Sequence, residues 1–178
     1  KGLDFEFIKV FNKSYFDKNA KILLEIIQMW QGLRLTNSEQ NQFLGDMFEY
    51  FLDNGIKQSE GQFFTPVPIC KFIVSALPLE QLIESYSEAI KAIDYACGSG
   101  HFLTEYAQQI PPLIKEIKQL DNPSPYYQQI YGIEKEDRLA KVAKVSAFMY
   151  GRKEIQIIDA DALVPHQQIK EASFDVLI

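Results

Sequence analysis

The stretch that most constrains this chain is residues 92–103, Ala-Ile-Asp-Tyr-Ala-Cys-Gly-Ser-Gly-His-Phe-Leu. A short apolar run ends at Asp94, a turn holds Gly98 and Gly100 around one small residue, and a helix-like pattern follows. That order reads as strand, tight turn, helix. The glycines let the backbone take positive φ and let a ligand approach the main chain, while the free N–H groups opening the next helix point at it. Spacing then separates the kinds of glycine turn. A phosphate cradle of the P-loop type needs a Lys after its last glycine, and none follows Gly100. A dinucleotide turn needs a third glycine three residues on, where this chain has Leu103. What is left is an acid at a strand end, Asp94, ahead of Gly-Ser-Gly, which suits a ligand bearing an amino acid and a ribose. A plain strand-to-helix connection uses the same glycines, so this stretch alone leaves both readings open.

Downstream, residues 129–134 (Gln-Ile-Tyr-Gly-Ile-Glu) read as a second strand ending in Glu134, followed by an amphipathic helix over 137–150 that Gly151 terminates. An acid at that strand end can accept hydrogen bonds from both hydroxyls of a ribose. In nucleotide-binding folds it lies about 20 residues past the turn. Glu134 lies further along, and the Pro-rich segment 121–127 accounts for the excess. Residues 154–161 form a third expected strand ending in acids, and 173–178 begin a fourth. Between the first two strands a helix is expected over 102–110, stopped by Pro111-Pro112, with another over 113–120 and a loop over 121–127. Strands alternating with helices, with acids at successive carboxyl ends, argue an α/β doubly wound parallel sheet of Rossmann type.

The amino-terminal part, 1–60, reads as a helical segment and 61–178 as the cofactor-binding half of a larger α/β domain. Ile22, Leu23, Ile26, Ile27 and Trp30 recur at helical spacing, and Phe43, Leu44, Met47, Phe48, Phe51 and Leu52 do so after Ser38. Asn54-Gly55 supplies a stop. Gly61-Gln-Phe-Phe-Thr-Pro66 then leads into a helix through Cys70, Phe72, Ile73 and Ala76, with Thr65 as its expected N-cap and Pro66 as its first residue.

Composition limits the function classes. With 178 residues, 47% hydrophobic and 24% charged, the chain can bury a core. No apolar run approaches the roughly 20 residues of a membrane span, and no basic segment leads into an apolar one at the amino terminus, so a cytoplasmic protein with no membrane partner is expected. Cys70 and Cys97 are too few for a disulfide framework. The net charge of −6 argues against an independent grip on nucleic acid. Lys135, Arg138, Lys141 and Lys144, the densest basic group, read as a solvated helix face.

Four segments carry a resemblance. Asp94-Tyr-Ala-Cys-Gly-Ser-Gly100 resembles the cofactor motif Asp-Pro-x-Cys-Gly-Ser-Gly of the S-adenosylmethionine-dependent N6-adenine DNA methyltransferases, with Tyr95 in place of Pro. Gly61-Gln-Phe-Phe-Thr-Pro66 resembles their Gly-x-Phe-Tyr-Thr-Pro element, with Phe64 in place of Tyr. Ala160-Asp-Ala-Leu163 is similar to their Gly-Asp-x-Leu, and residues 44–52 are similar to the helix preceding the catalytic domain in modification subunits of type I restriction systems. The resemblance implies S-adenosylmethionine as cofactor, held by Gln62, Phe63, Phe64, Thr65, Pro66, Asp94, Ala96, Cys97, Gly98, Ser99, Gly100, Phe102, Glu134, Asp161 and Ala162. In that scheme Asp161, rather than Asp159, accepts from the cofactor's adenine amino group. It further implies a parent enzyme that flips adenine out of DNA and methylates N6, with a specificity subunit reading the DNA and a restriction subunit as further partner.

The family's catalytic Asn-Pro-Pro-aromatic is absent from residues 1–178, and Asn122-Pro-Ser-Pro-Tyr126 is a near match in the wrong place. The chain is therefore expected to be an inactive amino-terminal fragment truncated after the fourth strand, with no catalytic residue and no metal site. The alternatives are an RNA or protein-glutamine methyltransferase and a non-catalytic cofactor-binding or assembly module.

Overall fold

In the computed structural model the described residues are 65–169 and 173–178, together with 20–22, 24, 25, 27 and 28, which are helical. The expected helix over 43–52, the division at residue 60, and Gln62, Phe63 and Phe64 lie outside them. From residue 67 the elements are α1 (Val67–Ser75), α2 (Leu79–Ser85), β1 (Ala92–Asp94), α3 (His101–Lys118), α4 (Ser124–Tyr127), β2 (Ile130–Glu134), α5 (Asp137–Met149), β3 (Gln156–Asp159) and β4 (Val176–Leu177).

The four strands form one parallel sheet in the order β3-β2-β1-β4. Strand order runs one way from β1 to β3 and reverses to β4, so the switch point, where open α/β sheets bind ligands, lies between β1 and β4. Backbone and side-chain bonds brace that point. Asp175 and Val176 N–H donate to the Lys91 carbonyl, and Lys91 N–H donates to Asp175 Oδ2 at 2.8 Å.

The period-2 alternation of strand side chains sorts the apolar residues onto two faces. Ala92 and Ile130 meet Leu103, Tyr106, Ala107, Ile110 and Ile114 of α3 and Ala143 and Ala147 of α5 in the main core, which also takes in Val74 of α1 and Leu79 and Ile83 of α2. Ile93, Ile133 and Ile158 point the other way, with Tyr131, Ile169 and Phe174 packed on them. There Tyr131 and Phe174 meet edge to face, centroids 5.3 Å apart.

Gly132 makes the close fit of α3 to β2 possible. A Cβ at that position would lie 2.6 Å from Leu103 Cδ1 and 2.8 Å from Cys97 Sγ. A strand glycine of this kind marks close approach of another element.

Three expectations need correction. The first is α3, which runs unbroken from His101 to Lys118 with Pro111 and Pro112 inside it. Ile110 and Ile114, on either side of the prolines, are completely buried; keeping that face continuous outweighs the two hydrogen bonds the prolines cannot donate. The second is segment 121–127, which contains the short helix α4, with Asn122 Oδ1 accepting from Ser124 N–H at 3.0 Å. The third is the start of α1, where Pro66 takes the N-cap position one residue later than expected, with no side-chain cap. The helix α2 carried no signal that singled it out.

Candidate cofactor site

The turn after β1 is built by its glycines. Gly98 and Gly100 have φ of +53° and +85°, values that cost L-residues strain. Cys97 N–H donates to the Ile133 carbonyl at 3.0 Å and Gly100 N–H to the Cys97 carbonyl at 2.7 Å, so the turn is pinned across to β2. Gly100 packs on α5, where an added Cβ would lie 3.3 Å from Ala143 Cβ. Among the described residues, a Cβ at Gly98 would meet nothing within 4 Å, whereas Gly100 is a packing contact.

Asp94 at the end of β1 is 7% exposed, and its Oδ1 accepts from Ala96 N–H at 3.0 Å. Burial pushes its carboxyl above the usual aspartate range; the Ala96 N–H pulls back and the neighbouring Glu134 charge pushes further. Glu134 reaches from β2 to the turn. Its Oε2 accepts from Gly98 N–H at 2.9 Å and its Oε1 from Glu136 N–H at 2.8 Å. Glu136 in turn caps α5, accepting from Arg138 and Leu139 N–H. One acid thus ties the glycine turn to the turn after β2.

Asp161 completes the row. It follows β3, whose last residue Asp159 is in register with Glu134, and Ala160 N–H donates to the Glu134 carbonyl at 3.0 Å. Asp161 Oδ1 accepts from Leu163 N–H at 3.0 Å, and its Oδ2 pairs with Lys135 Nζ at 2.7 Å. The Lys135 hydrogen bond, with the Leu163 N–H behind it, holds the Asp161 carboxyl below the usual range, and the same bond raises the Lys135 ammonium.

Thr65-Pro66 reaches the site from the other side. The Thr65 carbonyl, an acceptor only, lies 3.1 Å from His101 Nδ1 at the start of α3, so Nδ1 carries the proton. Cys70 Sγ donates to the same carbonyl at 3.6 Å. Ser99 and Cys97 are buried, and Phe102 packs against the main core. Burial drives the Cys97 thiol far up.

The structure therefore brings Thr65, Asp94, Cys97, Gly98, Glu134 and Asp161 to one end of the sheet through direct contacts between neighbours. Ala162 follows Asp161 directly. It lines a cavity of about 560 Å³ over Ile93, Ile133, Phe174 and Leu177 on the second face, and none of Gly98, Gly100, Glu134 and Asp161 borders it. Asn122, bound to its own turn, stands in a loop before β2. His101, Lys135 and Gly132 were missed as contributors. Only Gly132 had a signal, a glycine inside a strand pattern.

A parallel sheet in this order, with a glycine turn after its first strand and acids after the next two, is a Rossmann-like α/β fold. Residues 39–178 match the model of the N-6 DNA methylase family, and the chain belongs to that family. It is 25% identical over 145 residues to the methylase subunit of the type I restriction enzyme EcoEI of Escherichia coli, covering 80% of this chain and 28% of that protein. It is 27% identical over 151 residues to the methylase subunit of the MjaVII enzyme of Methanocaldococcus jannaschii, covering 83% and 23%. The chain thus spans about a quarter of the length of these relatives. Among solved structures, a modification subunit described for a type I restriction enzyme of Vibrio vulnificus superposes with a TM-score of 0.59 at 18% identity, covering 87% of this chain and 31% of that one. A protein of Listeria monocytogenes described as a class I S-adenosylmethionine-dependent methyltransferase gives 0.59 at 19%, covering 97% and 47%.

Proposed function

We propose that this chain supplies the S-adenosylmethionine site of an adenine-N6 DNA methyltransferase that serves as the modification subunit of a type I restriction-modification system. The observation that carries the reading is the row Gly98, Glu134, Asp161 across adjoining strand ends, with no described residue other than its chain neighbours within 4 Å of where a Gly98 Cβ would stand. The residues present fit the cofactor. Glu134 keeps unused lone pairs for ribose hydroxyls, Asp161 is an acceptor one strand further on for the adenine amino group, and the buried Asp94 is a negative group on the turn side for a cationic amino-acid end. The cofactor would bring the transferable sulfonium methyl; this chain's residues bind and orient it. DNA recognition through a specificity subunit, and assembly with a restriction subunit, belong to the same proposal, supported by the kinship with methylase subunits of type I restriction enzymes.

Calorimetric titration with S-adenosylmethionine tests the reading. Binding is expected for the parent chain, and Glu134→Ala lowers the affinity at least about tenfold, the weight of losing charged acceptors. A folded parent chain that gives no heat at millimolar ligand overturns the cofactor assignment.

A further inference from the structure

The acceptor expected to read adenine already holds a cation. Asp161 has two carboxylate oxygens: Oδ1 receives Leu163 N–H within its own turn, and Oδ2 receives the Lys135 ammonium at 2.7 Å. The Leu163 bond is local to its own turn. The Lys135 bond joins the turns after β2 and β3, across the edge where the adenine ring would lie if Glu134 holds the ribose. That oxygen keeps a second lone pair, but the ammonium neutralises the charge that would draw an adenine amino group and repels its partial positive hydrogens, so the two donors oppose each other there.

From this geometry we infer that Lys135 is a specificity-setting latch on the adenine subsite: its ion pair with Asp161 closes the subsite, and an incoming ring opens it only by presenting a donor that Asp161 can accept in exchange. This deepens the function proposed above and rests on it. Three features support the exchange. Lys135 is the freer partner, with 75% of its side chain exposed against 31% for Asp161, so the ammonium can swing out while the carboxylate stays. Asp161 is held in place by Leu163 N–H whichever donor it receives. Lys135 also directly follows Glu134, which is fixed by two backbone N–H groups, so releasing the latch leaves the ribose acid undisturbed. A purine with a carbonyl in place of the amino group offers the carboxylate no donor there, and against it the latch stays shut.

Titration of the full 178-residue chain with S-adenosylhomocysteine and with its deaminated 6-oxo analogue tests this. Lys135→Met keeps the aliphatic stem and removes the competitor; it is expected to tighten S-adenosylhomocysteine binding by about two- to fivefold, the weight of one exposed ion pair. Raising sodium chloride from about 0.05 to 0.5 M screens the pair and narrows the difference between the two proteins. In an Asp161→Asn background, Lys135→Met changes the affinity by less than about twofold, because the carboxylate it competed for is gone. Unchanged or weaker binding by Lys135→Met, with the parent chain binding normally, overturns the latch and leaves the cofactor site standing. An equal gain for the 6-oxo analogue overturns its role in selecting the amino group. Absence of binding in every folded variant removes the cofactor reading, and the latch with it.

Discussion

At the residue scale, Asp94 shows how a site of this kind opposes its own fold. It is buried beside Glu134, so its carboxyl titrates above the ordinary aspartate value. The folded chain then holds a proton over a pH window in which the unfolded chain has lost it, and stability falls as pH rises through that window. Replacing the carboxylate by an amide removes the penalty while keeping an oxygen for Ala96 N–H. Asp94→Asn is therefore expected to raise the thermal midpoint at pH 7 in the absence of ligand, with the gain vanishing below the ordinary aspartate pKa of about 3.9. The same variant should show a smaller midpoint increase on adding S-adenosylmethionine, since a negative group facing a cationic amino-acid end is lost. Differential scanning calorimetry at two pH values, with and without ligand, checks both; an Asp94→Asn chain less stable than its parent at neutral pH would show that the carboxylate is satisfied where it sits. Cys97 is the contrasting neighbour: burial pushes its thiol up, and its Sγ packs toward the space beside Gly132.

At the scale of elements, α3 carries a cost that packing outweighs. Pro112 is exposed in the interior of the helix and lacks the N–H that the Gln108 carbonyl would receive, and it also disfavours helical geometry at Pro111. Pro112→Ala is expected to stabilise the chain by up to about 3 kcal/mol, read as a higher urea midpoint at constant slope. A lower midpoint would mean that the proline ring, rather than Ile110 and Ile114, holds this turn of the helix in place. This helix also shows where sequence reading stops. The strands were legible because short apolar runs end in acids: β1 at Asp94, β2 at Glu134 and β3 just before Asp161. Local rules predicted a break at Pro111-Pro112, since proline propensity is a local property and the burial that overrides it is a tertiary one. The candidate site divided the same way. Glycines and strand-end acids announce themselves by type and spacing: Gly98 N–H meets Glu134, and Asp159 at the end of β3 is in register with Glu134, whereas Asp161 was singled out by the family resemblance. The partners of those residues did not announce themselves. His101 meets Thr65 and Lys135 meets Asp161 only because the fold lays one turn against another, and no local pattern encodes that.

At the scale of the whole molecule, the proposal separates holding a cofactor from using it. The amino nitrogen of adenine is a poor nucleophile because its lone pair is delocalised into the ring, so methyl transfer needs acceptors that hold the amino group in line with the sulfonium methyl. Asp161 is committed to Leu163 and either to Lys135 or, by the proposal, to the cofactor's own adenine. No Asn-Pro-Pro-aromatic segment occurs in residues 1–178, and the near match at Asn122 is bound into its own turn in a loop before β2. The charge balance adds a second obstacle, since a chain of net charge −6 gains little from releasing counterions along DNA. Fluorescence anisotropy with duplex DNA at about 0.15 M salt is therefore expected to show weak, sequence-independent binding. Radiolabelled methyl transfer from S-adenosylmethionine into unmethylated DNA should stay at background for this chain, even with a specificity subunit added and even where calorimetry shows the cofactor bound. Asn122→Ala should change neither measurement. Transfer above background that Asn122→Ala abolishes would place the chemistry in the loop before β2, and would mean that the carboxylates at the strand ends serve a target base held there.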